Sequence, residues 1–250
     1  MKRLSLLLFS ISFCIIKLHA QTSAKIEADL LKSFKKIDNT VQDNEAANDE
    51  FGKKLFDYTN KFPATIAYPF NRLKKEHLDI STSDDSQFRI YSWDTWTGGT
   101  MHFFESVFQY KDAGKTKAVL DTVKQEGDSR PNYTKLYTLK AGNNTYYLAV
   151  YLFIESSRYY GEGIQCFSIV KGRLKDDEKI IKTKTGLHSQ LSYEADLGSI
   201  VNIAFNKRPT IHFDSTTQTI HIPLVEAVGK VTRQYITYKF TGKYFEKVKS

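Results

Sequence analysis

The sequence predicts an α+β protein. An N-terminal helical hairpin precedes a mainly antiparallel β domain of about a dozen strands, curled into a barrel, split into a sandwich or divided into propeller-like blades. Three observations predict it. Apolar residues before residue 62 recur at helical spacing. After residue 80 strand-forming residues dominate, and turn signals recur at short intervals. The composition, 41% hydrophobic and 26% charged over 250 residues, is that of a folded chain rather than a disordered or collagen-like one.

The chain opens on Lys2 and Arg3, followed by an apolar run over 4–16 and Ala20 before Gln21. That pattern reads as a signal peptide over 1–20, too short in its apolar part to span a bilayer. Its removal takes the formal charge from +8 to +5 and leaves Cys166 as the one cysteine. So mild a positive excess, with no basic block, excludes nucleic acid as an expected partner. A single cysteine forms no internal disulfide, so an ordinary hydrophobic core must hold the chain. No later run is apolar enough for a transmembrane segment.

Residues 21–80 are assigned to the helical hairpin and its connector, and 81–250 to the β domain. The first helix is expected over 24–41, with Ile26, Leu30, Leu31, Phe34, Ile37 and Val41 on one face. The second is expected over 45–61, with Phe51, Leu55 and Tyr58 inward, stopped by Pro63. Such stripes suit packing on the protein's own sheet; binding a membrane surface or a partner helix is the alternative. Arg72, Lys74 and Lys75 in the connector read as a solvated face.

Strands are expected over 88–94, 101–110, 116–122, 135–140, 146–154, 163–170, 179–184, 200–206, 210–214, 219–222, 234–240 and 244–248. The segment 146–154 is the most apolar and reads as a central strand buried on both faces. A turn at Thr241-Gly242 is expected to set Phe240 opposite Lys243 and Tyr238 opposite Phe245. Cys166 alternates with apolar neighbours and reads as a buried hydrophobe.

Both tryptophans, Trp93 and Trp96, lie in the segment Trp93-Asp-Thr-Trp-Thr-Gly-Gly-Thr100. Alternation places Arg89, Tyr91 and Trp93 on one face, Ile90 and Ser92 on the other, and Trp96 in the turn. An aromatic in a glycine-rich loop beside a carboxylate can stack on a sugar ring and bond its hydroxyls. The expected ligand-binding set is Trp93, Asp94, Trp96, Gly98, Gly99 and His102. The plainer alternative has Trp96 folded onto the sheet and the glycines serving only the turn. With the preceding Ser81–Asp94 stretch, this loop resembles a family of uncharacterised exported proteins of Gram-negative bacteria. The resemblance implies a periplasmic or secreted address and brings no activity with it.

A hairpin over 210–222 closed at Thr216-Thr217 sets His212 opposite His221 and Asp214 opposite Thr219. His212, His221 and Asp214 are the candidate metal ligands, against the plainer reading of a polar outer face. No metal-ligand motif, nucleophile elbow or phosphate-cradling loop occurs in the sequence, and no cofactor is expected. The expected function is a non-enzymatic binding or interaction module for a carbohydrate, a cell-wall fragment or an envelope protein. The alternatives are a hydrolase using carboxylates or the histidine pair, and a cell-envelope assembly partner engaging through its helices.

Overall fold

A computed structural model describes residues 22–38, 40, 44–122, 128–204 and 207–248. The expected signal segment and Val41 lie outside them. The described chain is α+β and mostly strand, with three α-helices and fifteen strands. The helices are α1 over 22–34, α2 Glu45–Lys61 and α3 Asn71–Lys75.

The strands make three open sheets, none closed into a barrel. The first has the order β1-β2-β3-β4, from β1 Asp79–Thr82, β2 Phe88–Asp94, β3 Phe104–Asp112 and β4 Lys115–Asp121. The second contains β5 Asn132–Ala141, β6 Asn144–Ile154, β7 Tyr159–Val170 and β11 Gln190–Asp196, in the order β11-β7-β6-β5. Strand β8 Arg173–Lys175 joins its β7 edge. The third is β10-β9-β15-β14-β13-β12, from β9 Ile181–Thr183, β10 Gly186–His188, β12 His212–Asp214, β13 Thr219–Val225, β14 Val231–Phe240 and β15 Phe245–Lys247. All pairings are antiparallel except β15 with β9.

The layers stack as helices, first sheet, second sheet, third sheet, and the alternation of side chains decides which seam each residue fills. Tyr91, Trp93 and Val107 face α1 and α2, where Leu30, Phe51 and Leu55 are buried. Phe88, Ile90 and Phe108 face the other way, onto Tyr147, Ala149 and Phe167 of the second sheet. Leu148, Val150 and Cys166 leave that sheet's far side to meet Phe213, Ile220 and Phe245 of the third. Strand β6 is therefore covered on both faces, as its apolar run predicts.

Polar bonds fix the helices on the first sheet. The buried Arg89 guanidinium donates to the carbonyls of Thr65 and Tyr68, both at 2.6 Å, and lies over the Phe70 ring. Gln109 donates to the Thr59 carbonyl and the Thr65 hydroxyl. Each satisfies a donor that burial would otherwise penalise by about 1–3 kcal/mol.

Four expectations need correction. Helix α1 ends at residue 34, not 41; the Asp38 carboxylate accepts from Thr40 N and Oγ1, and that local turn competes with the helix. The segment 200–204 is turn rather than strand, following a 3₁₀ turn at Leu197–Ser199. The C-terminal hairpin has a longer loop, in which Thr241 N and Oγ1 both donate to the Tyr244 carbonyl. Phe240 therefore pairs with Phe245, and Tyr238 with Lys247. Strand β7 begins at Tyr159, before Gly161 and Gly163. A Cβ on Gly161 would fall 2.1 Å from the Phe153 ring, and one on Gly163 2.1 Å from the Tyr151 ring. The glycines sit inside a strand because cross-strand aromatics lie over them.

Candidate functional site

The rim of the first sheet, where β2 ends and β3 begins, gathers most of the expected ligand-binding set. Asp94, Trp96, Gly98, Gly99, Met101 and His102 line one cleft of about 280 Å3.

Trp93 does not belong to it. The side chain is 1% exposed, packs edge-on against Phe51 at 5.0 Å, and donates its indole N–H to Asn48 Oδ1 at 2.9 Å. Its place on the strand's helix-facing register makes it core, which corrects its assignment as a ligand contact.

Trp96 is 43% exposed. Its backbone has φ +54, in the left-handed region that a bulky residue rarely adopts. Bonds on both sides hold it there. Its N–H donates to Asp94 Oδ1 at 2.9 Å, and the carbonyl of the preceding Thr95 accepts from Asn48 of α2 at 2.9 Å. Thr95 also bonds across the loop mouth to the Phe103 carbonyl through its N–H and its hydroxyl. A Cβ on Gly98 would lie 2.0 Å from the Met101 carbonyl, so only glycine lets the loop close on itself. Gly99 supplies a second left-handed position, φ +65.

Opposite Trp96, His102 Nδ1 lies 2.5 Å from Asp94 Oδ2. A carboxylate only accepts, so Nδ1 carries the hydrogen and Nε2 is the free end of the ring. Among the described residues no group bonds to Nε2. The imidazole stacks on Phe104 and meets the Trp96 ring at 5.5 Å. The site thus offers an indole surface, an oriented imidazole nitrogen and loop backbone. Among the described residues of the cleft, no serine or cysteine stands ready as a nucleophile.

The second candidate forms as its register predicts: His212 pairs with His221, and Asp214 with Thr219. The two rings stack 4.7 Å apart and 12° from parallel, with the Tyr235 ring edge-on to both. Burial, then the neighbouring His212, holds the His221 pKa below the ordinary histidine value. The Asp214 carboxylate accepts from Thr216 N, Thr217 N and Thr217 Oγ1, which stabilise the hairpin turn. Among the described residues, no grouping of three or more His, Cys, Asp or Glu side chains is placed to hold a metal ion.

Sequence reasoning missed Glu105. It pairs with Trp93 across β2 and β3, and lines an apolar groove of about 460 Å3 with Gly52, Phe56 and Leu120. Burial, then the charges of Asp49 and Asp121, pushes its pKa up to about 7. The signal was present as a lone acid in the run Phe103-Phe-Glu-Ser-Val-Phe108, on the register that faces the helices.

No protein-family model, curated protein or solved structure matches this chain. No described helix is long and apolar enough to cross a membrane.

Proposed function

We propose that this chain is an exported binding module, periplasmic or secreted, whose Trp96–His102 cleft takes a single hydroxylated ring such as a sugar unit of a glycan or cell-wall fragment. One observation carries the reading. A bulky aromatic is held half-exposed in a left-handed conformation beside an imidazole whose outer nitrogen has no protein partner among the described residues. Strain of this kind costs about 1–3 kcal/mol and persists where surrounding structure over-determines it, typically at ligand sites. The cleft volume, about 280 Å3, lies just below the roughly 300–1,000 Å3 usual for pockets of drug-sized ligands and suits one ring. The apolar ring face would lie on the indole, and a hydroxyl would bond His102 Nε2. Export is supported by the basic, then apolar, then small-residue pattern over 1–20.

Calorimetric titration of the processed chain with neutral oligosaccharides and muropeptides tests this. Binding to at least one, lost in Trp96→Ala and weakened in His102→Ala at unchanged melting temperature, is the expected result. Equal heats from wild type and Trp96→Ala would remove the cleft from the account.

The alternative, a hydrolase working through carboxylates, is favoured by Glu105 alone, since a pKa near 7 suits a general acid. A panel of chromogenic glycosides assayed between pH 5 and 8 with wild type and Glu105→Gln separates the two. Turnover that Glu105→Gln abolishes would replace the binding reading.

A further inference from the structure

A second cavity, of about 390 Å3, opens between the first and second sheets and takes no part in the Trp96 cleft. We propose that it is a binding site for an organic cation, an alkyl or arylalkyl ammonium group, seated on tyrosine and phenylalanine rings and held by surrounding carboxylates.

The floor is aromatic by construction. Tyr151 and Phe153 of β6 lie over Gly163 and Gly161 of β7, so the rings lie close against the neighbouring strand. Tyr133 sits beside Tyr151 at 5.8 Å, and Phe167 beside Tyr133 at 6.0 Å. Rings attract a cation through the negative charge of their faces.

The polar groups around this floor are overwhelmingly acceptors. Among the described residues, Asp121, Asp128, Glu155 and Asp176 line the cavity against one cation, Arg130. Arg130 is paired with Asp121 and Asp128, and its Nε is buried without a partner among the described residues. The Tyr133 hydroxyl adds to the acceptors. Tyr133 donates its hydrogen to Gln165 Oε1 at 2.7 Å, and Tyr151 to Gln190 Oε1 at 3.4 Å. That leaves the Tyr133 phenolic oxygen free to accept, while that of Tyr151 is already engaged by the Ser192 side chain. Gln165 uses its amide N–H on the Asp176 carbonyl at 2.8 Å. Glu155 and Asp176 make no side-chain ion pair among the described residues, so their charge is available to a ligand. The negative field reaches the floor: burial, then the Asp121 charge, raises the Tyr133 phenol well above its ordinary value. A neutral sugar could donate its hydroxyls to these acceptors but would leave their negative charge uncompensated. An anion would meet three uncompensated negative charges. An ammonium group supplies both the charge and the donors that this wall lacks.

The test is nuclear magnetic resonance titration of the full processed chain with phenethylamine as probe and 2-phenylethanol as its uncharged analogue. We expect the amine to shift the Tyr133, Tyr151 and Phe153 ring signals and to bind about tenfold more tightly than the alcohol. The Glu155→Gln, Asp176→Asn double variant, both changes being at exposed positions, should lose most of that preference at an unchanged melting temperature. Trp96→Ala should leave it intact, which separates this site from the sugar cleft. Equal binding of amine and alcohol, a preference that survives the double variant, or ring signals that do not move with either probe would overturn the proposal.

Discussion

Trp93 and Trp96 stand three residues apart, and the chain uses them in opposite ways. Trp93 continues the β2 alternation and is sealed beneath α2. Trp96 lies past the strand's end, in the left-handed region, with almost half of its surface open. The difference is one of backbone: a regular strand delivers a side chain to a seam, whereas a bonded turn holds one over a cleft. The histidines repeat the contrast. His212 and His221 sit on a regular hairpin and stack into a flat face, while His102 follows the turn and borders a concavity. In both cases the irregular backbone makes the concavity.

The largest expected effect sharpens this contrast directly. Trp93→Ala should destabilise the fold by about 3–5 kcal/mol, since it opens a core cavity and strands the Asn48 amide. Urea unfolding followed by circular dichroism checks it; a loss below about 1 kcal/mol would place Trp93 outside the core. Gly98→Ala comes next, at about 1–3 kcal/mol, because the new Cβ must push the Met101 carbonyl aside. The same unfolding curves, with a sugar titration, should show binding lost together with stability.

The third prediction concerns pH. The Glu105 pKa is raised from 4.5 to about 7 in the folded state, so the native protein holds this proton between those values while the unfolded chain has released it. Stability is therefore lost as pH rises through that window, and the loss is complete above pH 7. The stability of Glu105→Gln measured against wild type should rise steadily in the variant's favour from pH 4.5 to pH 7. Parallel curves for the two proteins would show that the groove does not perturb Glu105.

A smaller effect belongs to the histidine face. Burial and His212 lower the His221 pKa, so stability falls as pH drops below the ordinary histidine value of 6.5. His221→Gln should flatten that fall between pH 7 and 5 in thermal melts. Identical slopes would mean that the stacked rings titrate freely. Smallest of all, Trp96→Ala should change stability by no more than about 0.5 kcal/mol, since the indole is exposed and alanine keeps the Cβ on which the left-handed backbone cost depends. A loss comparable to that of Trp93→Ala would erase the distinction between the two tryptophans.

Much of this contrast is legible in the sequence. Alternation places Tyr91 and Trp93 on one face and Ile90 on the other, as found in the two seams. The 210–222 register follows from its turn residues. What alternation cannot say is that the Trp93 face meets helices rather than solvent. That depends on α2 crossing the sheet at Gly52, where a Cβ would lie 3.5 Å from the indole ring. Strands β8 and β10 are too short to carry a pattern. The expected strand starts only at Gly163, whereas β7 runs from Tyr159, because what favours glycine there, the Tyr151 and Phe153 rings, lies on another strand. Counting along the strand puts Trp96 in the turn, but its left-handed backbone depends on bonds from Asp94 and on Asn48 holding the adjacent carbonyl. The Glu105 groove and the acid-rimmed cavity are assembled from separate strands, and sequence spacing carries no record of them.

The central claim is that Trp96 meets ligand while Trp93 does not. A chain with two tryptophans gives two indole N–H signals, assignable with Trp93→Phe and Trp96→Phe. Titration with the oligosaccharide that gives the strongest calorimetric signal should move the Trp96 indole and the His102 ring, and leave the Trp93 indole in place. Movement of the Trp93 signal with a silent Trp96 would contradict the account.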